Sequence, residues 1–282
     1  MRHGTRLLAL SAIAIVLVAV RGLTPPRPSA TGAFGRGPAI VFVHGLGSRA
    51  EHWLPVARAL ARRHRVVLVD LPGHGASEMP EPLTLERVRE SLDLALAREA
   101  PTPCVLVGHS LGGLVAAAEA LEHPEKLRGL VLVEAALTPQ IEGAERRALL
   151  ESLERDYAGT MHSVYLSFGR DSAQGEMLYR EVAALDPAHM KAWVRFALTA
   201  DLAPRARGIT VPVLALVSER SWPKNEAWST TAAALGYAQV PHLEGVRIAD
   251  SGHFVMLDHP EQVAALIERF AAHPHPELVA GR

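Results

Sequence analysis

The pentapeptide Gly108-His109-Ser110-Leu111-Gly112 constrains this chain more than any other feature. It stands between an apolar run at 103–107 and a helix-like stretch at 111–122. A serine at a strand-to-helix junction, with glycine two before and two after, marks a very tight turn. Side chains at the flanking positions would clash, so glycine is needed there, and the serine is held in strained backbone geometry. Its hydroxyl is then held out at the carboxyl end of a strand, above a helix N-terminus. Gly113 lets that helix pack close to the sheet. Alone, G-x-S-x-G is common in loops; with a strand before it and a helix after it, it reads as a turn presenting a nucleophile.

The remaining pattern supplies the sheet such a turn needs. Short Val/Leu/Ile-rich runs occur at 39–43, 66–69, 105–107, 130–133 and 213–217, with a weaker one at 246–248. Near-continuous apolar character is what strands covered on both faces show. Between them, 51–63 and 85–98 read as helices. In the second, Leu85, Val88, Leu92 and Leu96 recur at helical spacing behind the N-cap candidate Thr84. A last helix is expected at 261–272. The alternation predicts an α/β fold, a doubly wound, mostly parallel sheet with its chemistry at the carboxyl ends of the strands. Residues 138–207 break the rhythm, with helical stretches and no convincing strand. They hold Tyr157, Tyr165, Tyr179, Phe168, Trp193 and Phe196, most of which must pack that segment's own core. They read as an inserted helical cap whose underside forms part of a pocket. The expected organisation is a leader and linker at 1–37, core at 38–137, cap at 138–207 and core again at 208–282.

Composition excludes several classes. Lys+Arg 29 against Asp+Glu 30 gives a net charge of -1, so no strong field draws the chain to nucleic acid or to anionic lipid. Cys104 is the only cysteine, which rules out an internal disulfide and a thiolate metal cluster, and no histidine pair has the H-x-x-x-H spacing. Neither a metal nor an organic cofactor is expected. At the N-terminus, Arg2, His3 and Arg6 precede an uncharged apolar run at 7–20 that Arg21 closes. That run is short for a spanning helix and fits a secretory signal, with Ala30 and Ala33 as candidate cleavage positions. The protein is expected to be exported, and an uncleaved leader would leave a membrane anchor. Residues 24–37, rich in Pro and Gly, then read as a tether.

Three more motifs stand where a serine nucleophile needs them. In His44-Gly45-Leu46-Gly47, after the first strand, the Leu46 N–H can pair with the Leu111 N–H to hold a developing oxyanion. His44 reads as a loop brace, and Asp70 and His74, in the turn from Asp70 to Ser77, as structural. His109 is a pocket-wall residue expected to point away from the nucleophile's partner. The base is placed at His253, in Asp250-Ser251-Gly252-His253-Phe254, because a serine hydroxyl is a poor nucleophile until a neighbour takes its proton. His259, beside Pro260 at a helix start, is the rival.

Together the elbow, the His-Gly loop, the Asp-x-x-Gly-x-Gly-x-Ser turn and Gly-His-Phe resemble the α/β-hydrolase fold family over about residues 38–270. The inserted segment resembles that family's cap. A serine at position 110, where epoxide- and halide-processing members carry aspartate, argues against those activities. In the family the triad acid commonly follows the strand after the cap, and by that alignment Ser221 stands at its place. Glu134, at the end of the preceding strand, and Glu219 can substitute. Glu134 is preferred, because some members place the acid there and a buried strand-end carboxylate must be satisfied by a partner. Asp250 reads as a turn residue. The resemblance implies a carboxylic ester hydrolase acting on small to medium, largely apolar substrates through an acyl-enzyme. Its partners would be a small-molecule ester and, through the leader alone, a membrane. An amidase or peptidase on the same triad and a non-catalytic binding protein are the alternatives.

Overall fold

The computed structural model describes residues 30–75 and 77–273. Its strands are β1 (Ala30–Gly35), β2 (Ala39–Val43), β3 (Arg65–Val69), β4 (Cys104–His109), β5 (Leu127–Val133), β6 (Val213–Ser218) and β7 (Leu243–Ile248). They form one sheet in the order β1-β3-β2-β4-β5-β6-β7. From β2 to β7 every pairing is parallel, and β1 runs antiparallel along β3. All residues of β2, β4 and β6 are buried, as their apolar runs require. β7, on the edge, is mostly half-buried, which is why its sequence pattern is weaker.

The helices before the inserted segment are α1 (Leu54–Leu60), α2 (Leu85–Glu99) and α3 (Leu111–Glu122). Between β5 and β6 come α4 (Gly143–Arg155), α5 (Tyr157–Phe168), α6 (Ser172–Ala183) and α7 (Pro187–Ala197); α8 (Trp228–Ala234), α9 (Val255–Asp258) and α10 (Pro260–Ala272) follow. Against the sheet, α1 packs with α10 and α2 with α3. Thr84 caps α2 by accepting the Arg87 N–H, as its sequence position suggests. In the inserted segment Asp156, Asp171 and Asp186 each accept a first-turn N–H, of Gly159, Gln174 and Ala188. Such caps satisfy donors that the helix cannot use itself.

Hydrogen bonds tie the inserted helices to loops at the carboxyl ends of the strands. Tyr165 Oη donates to the Leu46 carbonyl at 2.7 Å and Trp193 Nε1 to the Pro72 carbonyl at 2.9 Å. His52 and Arg49 meet Glu181 of α6, each at 2.6 Å.

One expectation needs correction. Within the stretch read as a tether, Ala30–Gly35 is a strand. Its sequence, ATGAFG, has no run of branched residues and holds two glycines. Nothing local marks it as a strand, and it forms because the edge of β3 offers a full ladder of partners. The apolar run at 7–20 lies outside the described residues.

Candidate active site

Ser110 follows β4, at the middle of the sheet, with φ 50° and ψ −120°. A Cβ on Gly108 would lie 2.4 Å from the Gly112 carbonyl oxygen and 2.5 Å from Gly113 Cα, so only glycine lets strand and helix meet this closely. Among the described residues, three non-glycine residues have positive φ: Ser110, Glu134 and Asp250. Each costs on the order of 1–3 kcal/mol, a strain that packing must hold in place. Two of them are candidate site residues, and the third opens the loop of His253.

Glu134 follows β5, the neighbour of β4, where its side chain is almost fully buried. Its Oε1 accepts the Ser218 N–H at 2.5 Å and its Oε2 the Ser221 hydroxyl at 3.0 Å. The same Oε2 lies 3.2 Å from His253 Nδ1. A buried carboxylate with these three partners has its charge well met. The structure thus brings Glu134, and not Glu219, to the histidine. Glu219 pairs with Lys224 at 3.4 Å, and the Asp250 carbonyl accepts from His259 Nε2 at 3.1 Å. Ser221, at the position where the family usually has its acid, donates to the carboxylate that reaches across from the next strand.

His253 is braced from above by the end of α5. Its N–H donates to the Phe168 carbonyl at 2.9 Å, and the Phe168 ring stacks on the imidazole with centroids 4.6 Å apart. Beside it, the Gly252 N–H and Gln174 Nε2 both donate to the Asp258 carboxylate, at 2.9 and 2.6 Å. None of these braces has a sequence signal, because each partner lies on a different element.

His109 departs from its expected orientation. Its Nε2 lies 2.9 Å from the His253 carbonyl oxygen, and the two rings pack with centroids 4.8 Å apart. Burial, and then the neighbouring His253, hold its pKa well below the usual histidine value. The neutral ring therefore carries its proton on Nε2 and donates it to that carbonyl.

The loop after β2 is set by two more histidines. His44 accepts the Leu71 N–H on Nε2 at 3.0 Å, which leaves Nδ1 to donate to the Gly45 carbonyl at 2.7 Å. Ser48 N–H reaches that same carbonyl at 3.2 Å. In a planar trans peptide the next N–H, that of Leu46, points the opposite way. A Cβ on Gly45 would come 3.0 Å from Ser110 Cβ, so this peptide passes directly beside the serine. Further on, Gly47 N–H donates to His74 Nε2 at 3.0 Å, and His74 Nδ1 lies 3.1 Å from the Pro72 carbonyl. Burial, helped by His44, pushes the His74 pKa down to about 3, consistent with a neutral acceptor ring. Asp70 Oδ1 accepts the Ala50 N–H at 3.0 Å, a bracing contact. Leu111, the other candidate oxyanion donor, opens α3 immediately after the serine.

Ser110, Leu46, Leu111, Glu134 and His253 border one cavity of about 310 Å³. No hydrogen bond joins the Ser110 hydroxyl to His253 among the described residues; such contacts often tighten only once substrate is bound. The inserted helices complete the wall with Leu149, Leu153, Met161, Val164, Phe168 and Val194. Among the described residues, apart from Glu134 and the two histidines, no ionisable group except the Tyr165 phenol borders the cavity, and that phenol is committed to Leu46. Elsewhere, Asp93, Glu119 and His123 bring ligand-type atoms within 4.8 Å of one another. Lys126 pairs with Asp93 there and Arg89 with Glu119, so the carboxylates already have cations.

Residues 40–266 match the Alpha/beta hydrolase family. A pimeloyl-[acyl-carrier protein] methyl ester esterase of Nitrosospira multiformis is 29% identical over 262 residues, covering 85% of this chain and 96% of that protein. Its counterpart in Xanthomonas campestris pv. campestris is 31% identical over 256 residues, covering 84% and 96%. Among solved structures, a thermophilic esterase from Thermogutta terrifontis superposes with a TM-score of 0.73 at 23% identity, covering 89% of this chain and 98% of that one. The chain belongs to the alpha/beta hydrolase family and, within it, to the carboxylic ester hydrolases.

Proposed function

We propose that the chain cleaves carboxylic esters of small to medium, largely apolar substrates through an acyl-enzyme on Ser110. The observation that carries this reading is the Glu134 carboxylate on His253 Nδ1, facing the same apolar cavity as the strained serine. Ser110 Oγ attacks the ester carbonyl while His253 Nε2 takes its proton. Glu134 keeps the other ring proton on Nδ1 and stabilises the imidazolium that forms. The Leu46 and Leu111 N–H groups hold the oxyanion of the tetrahedral intermediate, which collapses as His253 returns the proton to the leaving alkoxide. Water, activated by the same histidine, then releases the acid. Among the described residues no lysine or arginine borders the cavity to meet a second carboxylate, which supports neutral acyl parts. A purely binding role drew its support from the serine at position 221, and the contact between Glu134 and His253 removes that support. The test is turnover of aryl esters of graded acyl length by the protein and by Ser110→Ala. Activity in the wild type that is absent from the variant is the expected result, and a folded wild type inert to every length refutes the reading.

The leader supports export, with the first residues kept as a membrane tether. Ala30 and Ala33, the candidate cleavage positions, belong to β1, and cutting after Ala33 would remove most of a paired strand. An intact Met1 terminus in the membrane fraction is expected. A soluble exported chain beginning near Ala30 would contradict retention.

A further inference from the structure

The antiparallel course of β1 fixes where the tether leaves the domain. Ala30 pairs with Val69, the last residue of β3, whereas Gly35 pairs with Arg65, the first. Because β2 to β7 are parallel, Val69 lies on the same edge of the sheet as His109, Val133 and Ser218. Ser110 and Glu134 stand on that edge, with the inserted helices over it. The chain therefore enters the domain at its active-site pole, three strand spacings from β4, or about 14 Å to the side.

We propose, resting on the retained tether, that the active-site pole faces a phospholipid bilayer and that the substrates are apolar esters dissolved in it. Residues 21–29, RGLTPPRPS, are all that separate the apolar run at 7–20 from β1. Fully extended, these nine residues span at most about 30 Å. A folded domain of this size is about 45 Å across, so the tether is too short to let the opposite pole rest on the membrane. The inserted helices over that pole carry an exposed apolar group that can be labelled. Met177, on α6, is the one large hydrophobic side chain that is exposed among the described residues, at 42%. The cavity beneath the cap is apolar and suits acyl chains delivered from a bilayer. The near-neutral net charge makes this a contact held by the tether and by apolar groups, in which anionic lipid is not required.

The test uses the full chain reconstituted in phosphatidylcholine vesicles, with a single fluorophore on Met177→Cys or on Arg63→Cys. Arg63 lies just before β3 and its side chain is 78% exposed, at the amino edge of the sheet. Cys104 is buried, and burial pushes its thiol up to about 12, so it does not compete for the label. Energy transfer to an acceptor lipid should be several-fold stronger from position 177 than from position 63. Equal transfer, or stronger transfer from 63, overturns the orientation while leaving the tether intact. Protein that fails to float with the vesicles overturns the tether, and the orientation with it. A second variant with twenty Gly/Ser residues inserted after Arg21 should lose about sixfold of its rate on a bilayer-dissolved long-chain aryl ester, following the −3/2 power of tether length. Its rate on a soluble short-chain aryl ester should not change. Equal loss on both esters, or loss on neither, refutes delivery from the bilayer.

Discussion

Replacing Glu134 with Gln isolates the carboxylate's role, because the structure dictates how the amide must sit. The Ser218 N–H, 2.5 Å from Oε1, requires an acceptor there. The amide oxygen takes that place, and the NH2 group falls where Oε2 stood, facing Ser221 Oγ and His253 Nδ1. The opposite flip sets two donors against each other at Ser218 and leaves a buried group unpaired, at a cost of roughly 1–3 kcal/mol. An NH2 facing Nδ1 selects the imidazole tautomer with its proton on Nε2. That nitrogen then cannot accept the serine proton. Losing the correct tautomer in a serine triad lowers kcat about 10⁴-fold, or about 5.4 kcal/mol of transition-state stabilisation. The assay is kcat on an aryl ester, with a thermal melt to verify folding. Glu219→Gln is the control and should retain wild-type turnover. If Glu134→Gln stays within about tenfold of wild type, another group orients His253 and the triad assignment is wrong. Ser221→Asp, added to Glu134→Gln, restores a carboxylate at the family's usual position and should recover part of the loss.

Three further outcomes follow from the site. Phe168→Ala removes the ring stacked on His253 while leaving its backbone carbonyl in place, so kcat should fall about tenfold with KM little changed, and an unchanged kcat would deny the brace. Leu149→Trp narrows the cavity, and should lower kcat/KM for long acyl chains while sparing acetyl esters in the same graded assay. His74, held to a pKa of about 3 against an ordinary 6.5, favours the folded state when neutral. Its contribution is complete above pH 6.5 and is lost as pH falls towards 3, by up to about 1.4 kcal/mol per pH unit, with buried His109 adding the same sign. Urea titrations from pH 7 to 4 should show this slope, and His74→Gln should flatten it; an equal slope in the variant would contradict the assignment.

The elbow, the core strands, the late histidine and the helical insertion were all legible because each is a local pattern. A buried parallel strand announces itself as a run of Val, Leu and Ile, and a tight strand-to-helix turn needs its glycines wherever it occurs. Glu134 was half-legible. Its position at a strand end was readable, but its choice over Glu219 depended on which carboxylate lies beside His253 across the tips of β5, β6 and β7. Strand β1 was illegible, since ATGAFG becomes a strand only when β3 presents an unpaired edge. The His109 contact, the Phe168 stack and the His74 clamp join residues between 27 and 144 positions apart. Sequence by itself singled out the candidate groups, because backbone strain and burial write their requirements into neighbouring residues. Tertiary structure alone decided which carboxylate lies beside the histidine and at which pole β1 begins, because register and strand direction are properties of pairs of elements and no single segment encodes them.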